Sequence, residues 1–315
     1  MSLCIERVLM DRRQEITGHL FAFITIFIWG TTFISTKILL KAISPTEVLF
    51  LRFTIGFIVL LVAYPRRLRV KKRKQELYFA AAGLCGVTLY YLLENIALTY
   101  TFASNVGVII SIAPFFTAIL AHLFLDGEKL RLQFFIGFAV AVIGIFLISF
   151  NGSSHLKLNP LGDILAVLAA VIWAAYSVLT KKISGFHYNT IQATRRIFFY
   201  GLIFMIPALF LFEFEPNLDQ LIQPVNLFNI LFLGLGASAL CFVTWNSAVK
   251  LLGAVKTSVY IYMVPVITVV TSVLVLHETI PRTSVFGIVL TLAGLFISEI
   301  KTSAKTKGAL ESGRF

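Results

Sequence analysis

The chain has 315 residues, of which 58% are hydrophobic and 13% charged, with a formal net charge of +12. A soluble domain is about half apolar and a quarter charged, so this chain lacks the polar surface needed to coat a water-soluble globule. Disordered chains, nucleic-acid-binding domains and most soluble enzymes are excluded, and a polytopic membrane protein remains.

A helix needs about 20 mostly apolar residues to cross the hydrocarbon core, and continuous runs of that length favour helices over barrel strands, which alternate. The expected fold is therefore an all-α bundle of ten spans. A charged segment, 1–16, precedes the first span at 17–37, where Trp29, Thr32 and Thr36 share one helical face. Trp29 falls mid-span, away from the interfacial belt, and is a candidate for lining a cavity. The second span, 45–64, contains Arg52, and a run of seven Lys and Arg from Arg66 to Lys74 follows it.

The third span, 77–99, carries Tyr91, Glu94 and Asn95. Glu94 is the carboxylate deepest in any span; a carboxylate in hydrocarbon takes up a proton or finds a cation. It is the candidate for substrate-amine binding or proton coupling, against a structural ion pair with Arg52, Arg195 or Arg196. The fourth span, 104–125, contains Ser111 and Pro114, a proline that removes a helix hydrogen bond and marks a candidate hinge. The fifth, 133–150, has Gly137 and Gly144 seven apart, a spacing that permits close helix packing.

A short linker, 151–160, leads to the sixth span, 161–180, where Trp173, Tyr176 and Thr180 repeat the pattern of the first. The seventh span is 192–213, and an acidic loop around Glu213, Glu215 and Asp219 follows. The eighth, 227–249, brings Trp245 and Asn246 as candidate substrate contacts, and its Gly234–Ala239 stretch reads as small-residue helix packing. The ninth, 254–276, adds Tyr262 and a second candidate hinge, Pro265; the tenth, 283–300, contains Gly287 and Gly294, and a polar tail occupies 301–315.

Lys and Arg set the orientation. With the N-terminus inside, 20 of them fall in cytoplasmic segments and 4 in external ones. Both termini and the Arg66–Lys74 run are expected on the cytoplasmic side, and the acidic loop outside.

The two parts of the chain are similar to each other. Gly18, Trp29, Lys37 and Arg52 recur 144 residues later as Gly162, Trp173, Lys181 and Arg196. Asn95, Ala97 and Pro114 recur 151 residues later as Asn246, Ala248 and Pro265, and Glu128, Gly137 and Gly144 recur 150 later as Glu278, Gly287 and Gly294. Five spans per repeat, an odd number, make 161–300 an inverted copy of 17–150, an architecture common among secondary transporters.

With its doubled Gly…Trp openings, Asn-x-Ala elements and mid-span prolines, the chain resembles the ten-span EamA-like branch of the drug/metabolite transporter superfamily over about residues 17–300. The resemblance implies a carrier with both ends cytoplasmic that moves amino acids, nucleotide-related metabolites, quaternary amines or similar solutes.

The function expected is secondary-active transport of a small polar metabolite by alternating access, with amino acids or related amines favoured because a carboxylate, paired asparagines and aromatic faces suit an ammonium solute. Broad export of toxic amphiphiles is the rival within the class, and a non-transporting receptor or scaffold the rival outside it. No phosphate-binding G-x-x-x-x-G-K-[ST] is present, and the cysteines and histidines have no metal-ligand spacing. The expected partners are a small-molecule substrate, the lipid bilayer and a proton or other coupling ion, with no cofactor, metal or nucleic acid. A bacterial inner membrane and a monomer or homodimer complete the expectation.

Overall fold

A computed structural model describes residues 2–100, 103–126, 131–149, 160–211, 214, 218–276 and 282–299. Most of the linker 151–160, the repeated Glu128 and Glu278, and the tail lie outside them. Every regular element among the described residues is helical. They are α1 (Ser2–Leu39), α2 (Pro45–Ala63), α3 (Arg73–Tyr100), α4 (Ala103–Ile110), α5 (Ala113–Phe124), α6 (Leu132–Ser149), α7 (Pro160–Ser184), α8 (Thr190–Leu211), α9 (Leu218–Ile222), α10 (Pro224–Leu252), α11 (Ala254–Val259), α12 (Met263–Leu276) and α13 (Arg282–Glu299).

Among the described residues, six helices are long and apolar enough to cross a membrane: α1 from Arg12 onward, α2, α3, α7, α8 and α10. The shortest, α2, has 19 residues and reaches about 28 Å at ~1.5 Å per residue, close to the hydrocarbon thickness. Their outward faces stay apolar: Val62, Leu77, Phe210 and Leu211 are all exposed. In water such a surface would aggregate; in lipid it is the solvated one.

Three local features depart from the expected spans. The charged segment 1–16 is an unbroken extension of α1 from Ser2. The run 104–125 is divided at Ser111–Ile112, where Ile112 N bonds the Ile109 carbonyl three residues back. The run 254–276 is divided by a 3-10 turn at Tyr260–Tyr262. Both breaks stand just before a proline, Pro114 or Pro265, whose ring has no N–H and crowds the carbonyl four residues earlier. A shift of 151 carries Ser111 onto Tyr262. It also carries a π-helical segment of α3, Leu84–Leu89, into that of α10, Phe232–Leu240. α6 and α13, 18 residues each, coincide under a shift of 150.

The two parts of the chain interlock. α1 runs antiparallel along α10: Gly18 meets Leu252, Thr25 Oγ1 bonds Thr244 Oγ1 at 2.7 Å, and Trp29 Nε1 donates to the Ala237 carbonyl at 3.0 Å. α7 lies in the same way on α3, with Tyr176 against Gly86 and Trp173 against Tyr90. α2 packs on the π segment of α10, where Gly234 meets Ile55, and α8 packs on that of α3, where Gly201 meets Val87. α6 and α13 pack on each other through the glycines expected to permit it.

At this last contact the backbones touch. A Cβ on Gly137 would lie 2.5 Å from the Gly294 carbonyl oxygen, and one on Gly294 would lie 2.5 Å from Ala141 N. Backbone cannot rotate away as a side chain can, so Gly137→Ala is expected to cost about 1–3 kcal/mol. Gly107→Ala, where a Cβ meets nothing within 4 Å, is expected to be neutral or mildly stabilising. Thermal unfolding of the two variants in detergent checks the contrast.

Candidate functional site

The centre of the bundle is aromatic. The Trp29 ring lies 5.1 Å from Trp173 edge-on, 5.2 Å from Trp245 and 5.9 Å from Phe242, centroid to centroid. Tyr90 and Tyr176 flank Trp173 at 4.8 and 4.9 Å. Phe53 of α2 and Phe198 of α8 meet at 5.0 Å and both touch Phe242. Edge-to-face pairs of this kind add about 0.5–1.5 kcal/mol each beyond area burial. They also make a rigid wall, because a large ring with two torsions has little freedom to lose.

A small cavity opens against this wall. Trp29, Thr32 and Phe33 of α1 line it, facing Tyr90, Tyr91 and Glu94 of α3, with Trp173 of α7 between. Ile110, Ile261 and Val264 complete it from the two interrupted helices. Ile110 and Ile261 are the residues four before Pro114 and Pro265, the positions whose carbonyls a proline deprives of their usual donor. The free volume is about 30 Å³, room for one or two waters and too little for a metabolite. Solute can enter only if the helices around it separate.

Glu94 supplies the charge. It is 5% exposed, lies one turn beyond Tyr90 on the same helix, and has no Lys, Arg or His nitrogen within 4.0 Å among the described residues. The arginines named as structural partners are engaged elsewhere. Arg195 donates to the carbonyls of Tyr64 and Arg66 at 2.5 and 2.6 Å, and Arg196 pairs with Glu76 at 2.5 Å. Arg52, 1% exposed, donates to Ser238 Oγ at 3.0 Å, and its guanidinium stands 4.4 Å above the Tyr91 ring. It does not reach to the headgroups as a span-end arginine would. Tyr91 therefore stands between a buried cation and the cavity, which places positive potential behind one wall and a carboxylate on another.

The remaining candidates divide. Trp245 is fully buried, its ring tilted against those of Trp29 and Trp173 behind the cavity lining. Tyr176 and Asn246 form a chain of their own: the Tyr176 hydroxyl donates to Asn246 Oδ1 at 2.9 Å, and Asn246 Nδ2 donates to Thr194 Oγ1 at 3.0 Å. Asn95 Nδ2 donates to the Pro45 carbonyl at 3.2 Å, tying α3 to the start of α2. Ser111 Oγ bonds the Gly107 carbonyl at 2.7 Å, and Tyr262 is packed in a cluster with Ala118, Phe134 and Val259.

Sequence reasoning did not single out Tyr90, Phe53, Phe242 or the pairing of Arg52 with Tyr91. Tyr90 could have been found, because it precedes Glu94 by one helical turn; Arg52 over Tyr91 joins two helices and leaves no signal along the chain. One donor also stands out. The Trp29 N–H is used by Ala237, whereas the Trp173 Nε1 N–H, on a residue that lines the cavity, has no partner among the described residues. Among the described residues no three His, Cys, Asp or Glu side chains are grouped as metal ligands.

Removing the donor of a buried bond leaves its acceptor unsatisfied at a cost of about 1–3 kcal/mol. Tyr176→Phe, which strands Asn246 Oδ1, should destabilise by that much. The double variant Tyr176→Phe/Asn246→Leu should cost less than the sum of the two single changes, as read from a double-mutant cycle of thermal unfolding in detergent.

Comparison with known proteins agrees with this architecture. The model of the EamA-like transporter family matches the chain twice, at residues 16–150 and 160–299. A protein of Archaeoglobus fulgidus described as an uncharacterized transporter is 28% identical over 287 residues, which span 90% of this chain and 97% of that protein. One of Clostridium kluyveri with the same description is 29% identical, covering 89% and 92%. A probable terminal-alkyne amino-acid exporter of Streptantibioticus cattleyicolor is 26% identical, covering 92% of this chain and 96% of the exporter. A crystal structure 22% identical in sequence superposes with a TM-score of 0.73 over 90% of this chain and 98% of its own, a likeness of fold. Two matches that together cover most of the apolar chain, on helices with lipid-facing surfaces, make this an integral membrane transporter, a member of the EamA-like family within the drug/metabolite transporter superfamily.

Proposed function

We propose that the protein is a secondary-active carrier of a small polar metabolite bearing an ammonium group, an amino acid or related amine, and that it works by alternating access between two inverted five-helix repeats. The observation that carries this reading is Glu94, a buried carboxylate on a small aromatic cavity built from both parts of the chain. An ammonium would pair with the carboxylate and lie against the face of Trp29, since aromatic rings attract cations through their negative faces. The Trp173 N–H is free to meet a carboxylate or carbonyl oxygen on the same solute. A relative described as a probable amino-acid exporter supports the substrate class. The aromatic walls also favour, as the second reading, export of amphiphilic cations.

The interrupted helices give the motion a place to occur. Helix breaks ahead of Pro114 and Pro265 meet the cavity at Ile110 and Ile261, so a change in the angle at either break would alter the cavity lining directly. On the side read as cytoplasmic, Lys256 pairs with Glu15 at 3.3 Å and His19 Nδ1 contacts the Tyr260 hydroxyl at 2.7 Å, two contacts that tie α1 to α11 and the 3-10 turn. Coupling to a proton or another ion would run through Glu94, which must exchange one positive partner for another as the cavity turns.

Glu94→Gln keeps the shape and removes the charge. Hydrogen bonds to a charged group contribute about 1.5–3 kcal/mol, so uptake or efflux of an amine solute in proteoliposomes is expected to fall about tenfold to a hundredfold, with insertion and unfolding temperature little changed. A wild-type rate and pH profile in this variant would return Glu94 to a structural role. Orientation is tested separately. In intact cells and a cysteine-free background, an impermeant thiol reagent should label a Cys at Asp219 and miss one at Lys71; the reverse pattern would overturn the assigned topology.

A further inference from the structure

The run of basic residues that follows α2 does more than mark one side of the membrane. Its backbone is clamped to α8 and to the turn before it: Arg195 and Gln192 Nε2 both donate to the Arg66 carbonyl, the latter at 2.9 Å, and Lys71 N donates to the Tyr188 hydroxyl at 2.8 Å. Leu68 is buried beneath it as an anchor. So held, the segment forms one side of a cavity of about 360 Å³, lined by Arg67, Arg69, Arg73 and Arg196, with Glu76 the only carboxylate among the described residues that line it. Glu76 is already satisfied by Arg196 and by the Tyr200 hydroxyl at 2.9 Å. Arg67, Arg69 and Arg73 have no ion-pair partner among the described residues, although all three are turned to one concavity.

We infer that this cavity is a binding site for the phosphate of an anionic phospholipid. Three uncompensated guanidinium forks around one hollow suit a phosphate, which accepts paired N–H donors from arginine, and they repel one another until an anion enters. The surface next to the cavity is apolar and outward-facing: Val62 is in the last turn of α2, Leu77 lies one turn beyond Arg73, and Phe199 lies one turn beyond Arg196, whose guanidinium stands 5.6 Å above its ring. A phosphate held here would therefore have its acyl chains on a surface already adapted to lipid, which favours a lipid headgroup over free phosphate. Because the arginines are carried by both the α2–α3 segment and α8, an occupant would bridge the two parts of the chain at the position where their contact is made by the clamped loop. The inference does not depend on which solute the carrier moves.

The test uses the full-length protein in detergent, with retention of added lipid read by native mass spectrometry and unfolding temperature read in parallel. Dioleoylphosphatidylglycerol is expected to be retained and to raise the unfolding temperature, and dioleoylphosphatidylcholine or inorganic phosphate at equal phosphorus concentration is not. A basic residue at a membrane surface is worth about fivefold in affinity, so Arg67→Gln/Arg69→Gln/Arg73→Gln should weaken retention by more than about tenfold. Lys71→Gln/Lys72→Gln/Lys74→Gln removes as many charges outside the cavity lining and should retain the lipid nearly as well as wild type. Equal retention of the two lipids, equal stabilisation by inorganic phosphate, or equal losses in the two triple variants would each overturn the site, the last by reducing it to a diffuse surface potential. Should the arginine variant fold poorly, Arg67→Lys/Arg69→Lys/Arg73→Lys keeps the charge and loses the fork, and an undiminished preference for phosphatidylglycerol in it would overturn recognition by guanidinium.

Discussion

Close approach of helix backbones across the two parts of the chain is the constraint on which the rest of this structure depends. Between helices in lipid there is no hydrophobic driving force, since the surrounding tails are as apolar as the side chains; contact must come from packing and hydrogen bonds. The chain meets this with small residues at the crossings. Gly86 admits the Tyr176 ring, Gly201 admits Val87, Gly234 admits Ile55, and Gly137 and Gly294 bring α6 and α13 backbone to backbone. The π segments of α3 and α10 fall at the crossings with α8 and α2, where a widened turn alters which residues face the neighbour.

Because the crossings join opposite parts of the chain, the aromatic centre is made jointly. Trp29 and Phe53 come from the first part, and Trp173, Phe198, Phe242 and Trp245 from the second. The rings fill the centre almost completely, which explains how a bundle with a buried carboxylate leaves so little free volume. Most polar groups in this region are satisfied locally, as with Thr32 Oγ1 on the Trp29 carbonyl and Ser177 Oγ on that of Trp173. Exceptions among the described residues include the Trp173 and Trp245 indole N–H groups, at the cavity and behind it, and Arg52 Nη2 over the Tyr91 ring.

The internal likeness is not carried through to every side chain. At the 151 offset Glu94 corresponds to Trp245 and Tyr91 to Phe242, so the polar version of the α3/α10 position faces the cavity and the apolar version fills the wall behind it. At the 144 offset Arg52 corresponds to Arg196. Arg52 is enclosed against Tyr91 and Ser238, whereas Arg196 meets Glu76 near the start of α3, at the edge of the basic cavity. Similar backbone positions thus carry different electrostatic work.

Hydropathy along the chain was sufficient to identify an all-helical membrane protein, the position of most spans to within a few residues, and the glycine pairs and prolines that punctuate them, because these follow from local length and residue type. The doubled motif pointed to a transporter family for the same reason: it is a property of spacing. Of the residues expected at the site, Trp29, Thr32, Tyr91, Glu94 and Trp173 line one cavity, whereas Asn95, Ser111 and Tyr262 are engaged elsewhere. Helical periodicity could place each of them on a face without saying which neighbour that face meets. Tertiary structure alone decided that α1 lies on α10 and α7 on α3, that Arg52 is buried over an aromatic ring, and that the basic run is clamped to α8. Those contacts join residues on different helices, far apart along the chain, where the choice among equally apolar helix faces rests on shape and on hydrogen bonds between helices, neither of which is written in the hydropathy of any one segment.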